Sequence, residues 1–288
     1  MADARRITGT WQFNPAVDIP AGVYVEMLWL YSAAVLYPMR AIKHMGMFPR
    51  TSIGKYPPIA QTQGQGKMYS LRHRAPVYTD SETSSHESVV EFERGAGVYE
   101  MAVSPFTRPI YAEAMKIISR LLPRAARVLD LGCGPGSELF QLANVVPDGE
   151  VVGLDLAREM LDAAWDGAQR RGYRNTAFFQ GDVTKLPDDF SAKFDAVHCS
   201  FAFHHYADPV ASLKEMNRVL VPDGKAFVID GGTWWANTMA TPMARIGDPG
   251  WVRFYTGKEF AELFMQAGFA DFYWEELLPG IGICVGTR

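Results

Sequence analysis

The stretch Arg127-Val128-Leu129-Asp130-Leu131-Gly132-Cys133-Gly134-Pro135-Gly136-Ser137 decides the fold of this 288-residue chain. Apolar residues around one aspartate lead into three glycines at alternate positions, and a helical pattern opens directly behind them at residues 138–146. The order reads as strand, tight turn, helix. A glycine turn at this junction lets bare backbone approach a ligand, and the helix amino end adds unpaired N–H groups and partial positive charge. Such a turn suits something polar or anionic, although a close strand-to-helix connection accounts for glycines on steric grounds alone. The spacing G-x-G-x-G, with Asp130 two residues before Gly132, differs from the G-x-G-x-x-G of dinucleotide-binding turns.

Outward from this turn, acidic residues recur at strand ends. Asp155 closes the run Glu150-Val151-Val152-Gly153-Leu154-Asp155, where a carboxylate can accept both hydroxyls of a ribose. Asp182, in Gln180-Gly181-Asp182-Val183, closes a third strand, and Phe194-Asp195-Ala196-Val197-His198-Cys199-Ser200-Phe201 gives a fourth that ends in small and aromatic residues. For each aspartate, capping of the following turn or helix is a competing role.

The motifs Val128-Leu129-Asp130-Leu131-Gly132-Cys133-Gly134-Pro135-Gly136, Gly153-Leu154-Asp155, Gly181-Asp182, Phe194-Asp195-Ala196-Val197 and Leu220-Val221-Pro222-Asp223-Gly224-Lys225, in this order and spacing, resemble a class I S-adenosylmethionine-dependent methyltransferase. The similarity is to the branch that includes the ubiquinone and menaquinone C-methyltransferases. It implies an α/β fold with a Rossmann-like, seven-stranded, mostly parallel sheet and an antiparallel C-terminal hairpin. It also implies S-adenosyl-L-methionine as cofactor, bound by a domain over residues 96–288.

The pattern beyond the motifs agrees with alternating strands and helices. Strands are expected near 126–131, 150–155, 176–180, 194–200, 225–231, 270–277 and 280–286, and helices near 109–122, 137–146, 157–171, 209–220 and 257–267. Such alternation calls for a parallel sheet covered on both faces. Ligands of these sheets bind outside the carboxyl ends of the strands, so one cleft can collect Asp130, Gly132, Asp155, Asp182 and Ser200.

By the resemblance, the turn from Gly132 through Cys133 and Gly134 to Gly136 packs against the methionine and ribose portions, with Asp130 toward the amino group. Asp155 binds the ribose hydroxyls, Leu156 and Val183 flank the adenine, and Asp182 accepts from its exocyclic amine. Met160, Ser200 and Phe201 complete the implied cofactor set. Tyr99-Glu100-Met101, followed by Ser104 and Thr107-Arg108, is similar to the segment that precedes the core in quinone methyltransferases. The similarity implies that Tyr99 closes over the methionine end and that Arg108 sits near its carboxylate. An aromatic helix anchor and a surface ion pair are the competing roles.

His204 and His205, in Phe201-Ala202-Phe203-His204-His205-Tyr206, lie just past the fourth strand, on the acceptor side of the methyl group. An imidazole there can take a proton from a phenol, an acid or a cationic carbon centre, and a structural turn role competes. No metal site is expected, since adjacent residues on an extended segment point apart and no third ligand follows at suitable spacing. Gly231-Gly232-Thr233-Trp234-Trp235 opens a long connection through Met239, Met243 and Trp251 to Phe254 and Tyr255. With Trp29 and Tyr31, its aromatics can enclose an apolar acceptor or fill an ordinary core.

Residues 1–95 form a mainly helical or irregular extension with no place in the motif series. Its segment 23–39 is the most apolar in the chain, yet Glu26 and Pro38 interrupt it and it is short of the ~20 apolar residues of a membrane span. Core or subunit packing, a wall of a hydrophobic substrate pocket and peripheral membrane contact compete for it, the last because Arg40, Lys43, His44 and Arg50 lie nearby. Residues 49–88 are rich in Pro, Gly, Gln, Ser and Thr and read as irregular.

Composition narrows the function further. A net charge of −4 and the lack of any long Lys or Arg run argue against a broad nucleic-acid surface. The three cysteines, Cys133, Cys199 and Cys284, read as free thiols in a reducing compartment, and no apolar signal core follows Met1, so a cytoplasmic location is expected. The expectation is a methyltransferase that adds a methyl group to carbon or oxygen of a small hydrophobic acceptor, with homo-oligomerisation through the extension. A non-methylating cyclisation or rearrangement and a non-catalytic cofactor-binding module are the alternatives.

Overall fold

In the computed structural model the described residues are 74–77, 96–231, 252–278 and 281–288. The readings for segment 23–39, for Trp29 and Tyr31, for oligomer or membrane contact through the extension, and for Thr233, Met239, Met243 and Trp251 fall outside them. The described strands are β1 (Arg74–Val77), β2 (Arg127–Leu131), β3 (Glu150–Asp155), β4 (Thr176–Gln180), β5 (Phe194–Ser200), β6 (Leu220–Gly231), β7 (Asp271–Leu278) and β8 (Ile281–Thr287). The helices are α1 (Ala96–Leu121), α2 (Ser137–Val145), α3 (Arg158–Arg171), α4 (Pro209–Val219) and α5 (Gly257–Gln266).

One sheet runs in the order β1-β4-β3-β2-β5-β6-β8-β7, parallel from β1 to β6 and antiparallel where β8 pairs with β6 and β7. The seven expected strands are all present, and β1 adds an eighth at the edge, inside a stretch read as irregular. Its Pro76 cannot donate to a ladder, which an edge strand tolerates. The chain moves from β2 through β3 to β4 on one side and returns to place β5 on the other flank of β2. The carboxyl ends of β2 and β5 therefore bound the crevice where the winding reverses, the usual ligand position in such sheets.

Side-chain alternation splits the core. Val128, Val151 and Ala196 pack with Ile110, Ala114 and Ile118 of α1, Leu139 and Leu142 of α2 and Leu161 of α3. Leu129, Val152 and Val197 face the opposite way, toward Leu213 and Met216 of α4 and Phe260 and Phe264 of α5. Local sequence fixes the helix ends. Asp208 accepts from the Ala211 N–H ahead of α4, with Pro209 in the first turn, and Gly172 (φ 74°) closes α3. Thr256 and Glu259 form reciprocal capping bonds at the start of α5.

Candidate active site

The glycine turn is built from backbone that other residues do not readily adopt. Gly132, Gly134 and Gly136 have φ of 69°, 52° and 94°. The N–H groups of Gly132 and Cys133 both donate to the Leu154 carbonyl, at 2.8 and 3.1 Å, which pins the turn to the end of β3. A Cβ on Gly132 would lie 2.5 Å from the Ala202 Cβ, so the turn and the segment after β5 are in contact across the crevice. A Cβ on Gly134 would meet nothing within 4 Å among the described residues, which leaves bare backbone there. Gly136, which precedes the first turn of α2, offers no capping side chain, and the Glu138 N–H in that turn bonds its own carboxyl.

Asp155 binds this turn. Its Oδ2 accepts from the Gly134 N–H at 2.8 Å and its Oδ1 from the Ala157 N–H at 2.9 Å. Burial pushes the carboxyl up to about 6 although N–H donors of Ala157, Gly134 and Leu156 pull it down. The competing capping role is therefore real, and each oxygen keeps a second lone pair for a hydroxyl donor. Asp182 directs Oδ1 to both the N–H and the hydroxyl of Thr184, at 2.8 and 2.7 Å. Leu156 and Val183 are partly exposed beside these two aspartates, whereas Met160 is buried on α3.

Asp130 is buried, and its Oδ1 lies 2.7 Å from Nδ1 of the fully buried His198, its direct partner across the β2–β5 ladder. Cys133 turns its thiol into the core, where burial drives the thiol well above its ordinary value, so a ligand meets only the backbone of this residue. Phe201 holds φ 47° and meets Tyr111 of α1 edge-on at 5.9 Å between centroids. The Tyr206 hydroxyl contacts Cys199 Sγ at 3.3 Å and the Leu131 carbonyl at 3.5 Å, behind the turn.

Arg108 is exposed on α1, one turn before the buried Tyr111. One expectation needs correction. His204 and His205 do not point apart: Phe203–His205 is a 3-10 turn rather than extended chain, and the two rings lie 4.2 Å apart between centroids. Tyr99 falls within α1, and its side chain lies outside the described residues.

His204 has an acidic partner that the motif series does not name. Asp230, fully buried at the end of β6, accepts from the His204 backbone N–H at 3.0 Å and meets Nδ1 of its ring with both oxygens at 3.0 Å. The His204 carbonyl accepts from the N–H groups of Val252 and Arg253, and Phe254 packs edge-on to its ring at 5.2 Å. His204 thus joins β5, β6 and the entry to α5. With Nδ1–H committed to a carboxylate, the basic lone pair of the imidazole resides on Nε2. Among the described residues no cluster of three or more His, Cys, Asp or Glu has metal-binding geometry, and no helix is long and apolar enough to cross a membrane.

Residues 123–253 match the family described as Methyltransferase domain. The uncharacterized methyltransferase YcgJ of Bacillus subtilis is 37% identical over 106 residues, 36% of this chain and 40% of the relative. The YcgJ crystal structure aligns with a TM-score of 0.52 and 26% identity over 57% of this chain and 71% of that one. The demethylmenaquinone methyltransferase of Deinococcus radiodurans is 40% identical over 106 residues, 36% of this chain and 42% of the relative. The chloroplastic 2-phytyl-1,4-beta-naphthoquinone methyltransferase of Arabidopsis thaliana is 30% identical over 186 residues, 56% of this chain and 71% of the relative. Against the first two, this chain spans about two fifths of the relative's length.

Proposed function

This chain belongs to the methyltransferase family, and we propose that it transfers the methyl group of S-adenosylmethionine to an oxygen or carbon of a small hydrophobic acceptor that must give up a proton. The observation that carries this reading is the meeting, at the reversal point of the sheet, of a left-handed glycine turn with the Asp155 carboxylate bound to it. The residues fit the cofactor: bare backbone at Gly134 is uncovered among the described residues, and acidic groups stand at the ends of β2, β3 and just past β4. Asp155 is the ligand for the ribose hydroxyls, Asp182 for the adenine amine, and Leu156 and Val183 are the walls beside the ring.

S-adenosylmethionine supplies a methyl group already activated by its sulfonium charge. What remains for the chain is to align the acceptor, exclude water and take the acceptor's proton. His204, oriented by Asp230, is the base, and its Nε2 receives the proton as the new bond forms. Phe254 beside His204 and the buried Tyr255 supply apolar surface on that side. Two relatives, whose names specify a demethylmenaquinone and a 1,4-naphthoquinone, support a quinone in its reduced, hydroxylated form as the acceptor. Such a ring carries both an ionisable hydroxyl and a nucleophilic carbon.

The test is to incubate the chain with S-adenosylmethionine and a panel of alkylated hydroquinones and phenols, and to weigh the products. The expected product is heavier than its parent by one methyl group, with S-adenosylhomocysteine formed in equal amount. A product of unchanged mass would contradict methyl transfer and point to a rearrangement. Cofactor binding with no product from any member of the panel would contradict this acceptor class.

A further inference from the structure

Buried polar atoms that lack a hydrogen-bond partner are rare, and each costs about 1–3 kcal/mol. Four occur in one place: Asp130 Oδ2, Glu138 Oε1, His198 Nε2 and Ser200 Oγ have none among the described residues. Asp130 follows Val128 by two residues, and His198 and Ser200 follow Ala196 by two and four. All three therefore project from the sheet face that packs against α1 and α2. Glu138 enters the same layer from the first turn of α2 and is only 9% exposed. The Tyr111 hydroxyl of α1 hydrogen-bonds its carboxyl, and Asp130 is near enough to act on it electrostatically.

An acid in a first helical turn ordinarily faces water and complements the helix dipole. Glu138 faces inward instead. Burial, with a contribution from Asp130, pushes its carboxyl up to about 8 against the opposing Tyr111 bond. It is therefore protonated near neutral pH when no cation is present. Two inward carboxyls with an unmet oxygen each call for a compact cation that brings several N–H donors. The glycine turn between them already marks where the amino-acid end of a nucleoside sulfonium would lie.

We infer that Glu138 joins Asp130, the motif residue expected toward the amino group, in holding the α-ammonium group of the cofactor's methionine portion, and that Glu138 releases its proton to solvent as that cation arrives. The inference rests on the methyltransferase reading and names a ligand that the glycine and aspartate motifs do not contain. The groups facing Glu138 are Tyr111 from α1, Asp130 from β2 and Cys133 from the turn, with His198 of β5 behind Asp130 and Asp155 of β3 beside Cys133. His198 is a positioning residue that fixes the rotation of the Asp130 carboxylate.

The sign of the pH dependence follows. The bound state favours ionised Glu138, so affinity is fully present above the unliganded value of about 8 and is lost as pH falls, by about tenfold per pH unit until the bound-state value is reached. Calorimetric titration with S-adenosylhomocysteine near neutral pH, in two buffers of different ionisation enthalpy, is expected to report about one proton released per site. Glu138→Gln, which mimics the protonated acid in size and polarity, is expected to fold, to bind about tenfold more weakly, and to release no proton. Binding by the wild-type chain without proton release, or equal release by Glu138→Gln, would overturn the inference while leaving the cofactor assignment standing. No binding at any pH would overturn the methyltransferase reading itself.

Discussion

Gly132→Ala is expected to weaken binding of S-adenosylhomocysteine by at least about 100-fold, the loss that corresponds to about 3 kcal/mol. Two costs combine. A left-handed backbone at φ 69° strains any residue with a Cβ, by about 1–2 kcal/mol. The new methyl would also sit 2.5 Å from Ala202 Cβ, and overpacking of that kind costs about 1–3 kcal/mol. The chain relieves both by moving the turn away from the end of β5, which also disturbs the backbone bonds that hold Gly132 and Cys133 on Leu154. Gly172→Ala provides the control, because Gly172 shares the left-handed backbone (φ 74°) but a Cβ there meets open space at the end of α3. It is expected to lower stability by about 1 kcal/mol with affinity unchanged. Equal affinity loss in both variants would show that the effect is general destabilisation and not displacement of the cradle.

The second large effect concerns turnover. Asp230→Asn is expected to cut kcat by about 100-fold to 10,000-fold with little change in cofactor affinity. Asparagine keeps the size of aspartate and one oxygen, enough for a backbone N–H such as that of His204 or Gly231. Its amide NH2 replaces one carboxylate oxygen and presents a donor to Nδ1, so the imidazole proton moves to Nε2 and the lone pair needed by the acceptor is lost. The limb of the kcat pH profile that reports the base should disappear together with the rate. A full rate and an unchanged profile in Asp230→Asn would make the pair a structural clamp between β5, β6 and the entry to α5.

Much of this architecture is legible because sequence and backbone requirements coincide. The apolar run into Asp130 and the alternate glycines mark β2, its turn and α2, since few other patterns combine a parallel strand with three left-handed positions. β6 is harder. Its regular part begins at Lys225, as the pattern indicates, but the strand already pairs at Leu220. The intervening Pro222, Asp223 (φ 63°) and Gly224 are absorbed as an irregularity in the ladder. α1 runs unbroken from Ala96 through Pro109 to Leu121, so the Tyr99 segment and the helix expected from 109 are one element.

Acidic residues at strand ends identify Asp130, Asp155 and Asp182, but a linear pattern does not say what they touch. Asp130 meets His198 only because β2 and β5 pair in one register, and β5 arrives more than sixty residues later. Asp230 ends the run Phe227-Val228-Ile229-Asp230, so the same strand-end rule finds it once β6 is placed. Glu138 leaves no such trace. An acid in a first turn carries the signature of an exposed dipole partner, and only the packing of α1 over α2 turns it inward.

The central claim is that the crevice between β2 and β5 holds both ends of an adenosyl amino acid. Titration of the wild-type chain with S-adenosylhomocysteine, with adenosine and methionine as separate probes, tests it most directly. Saturable one-to-one binding of the intact molecule, with each fragment far weaker, is the predicted result. Heats no greater than dilution for S-adenosylhomocysteine, or equal binding of adenosine alone, would contradict it.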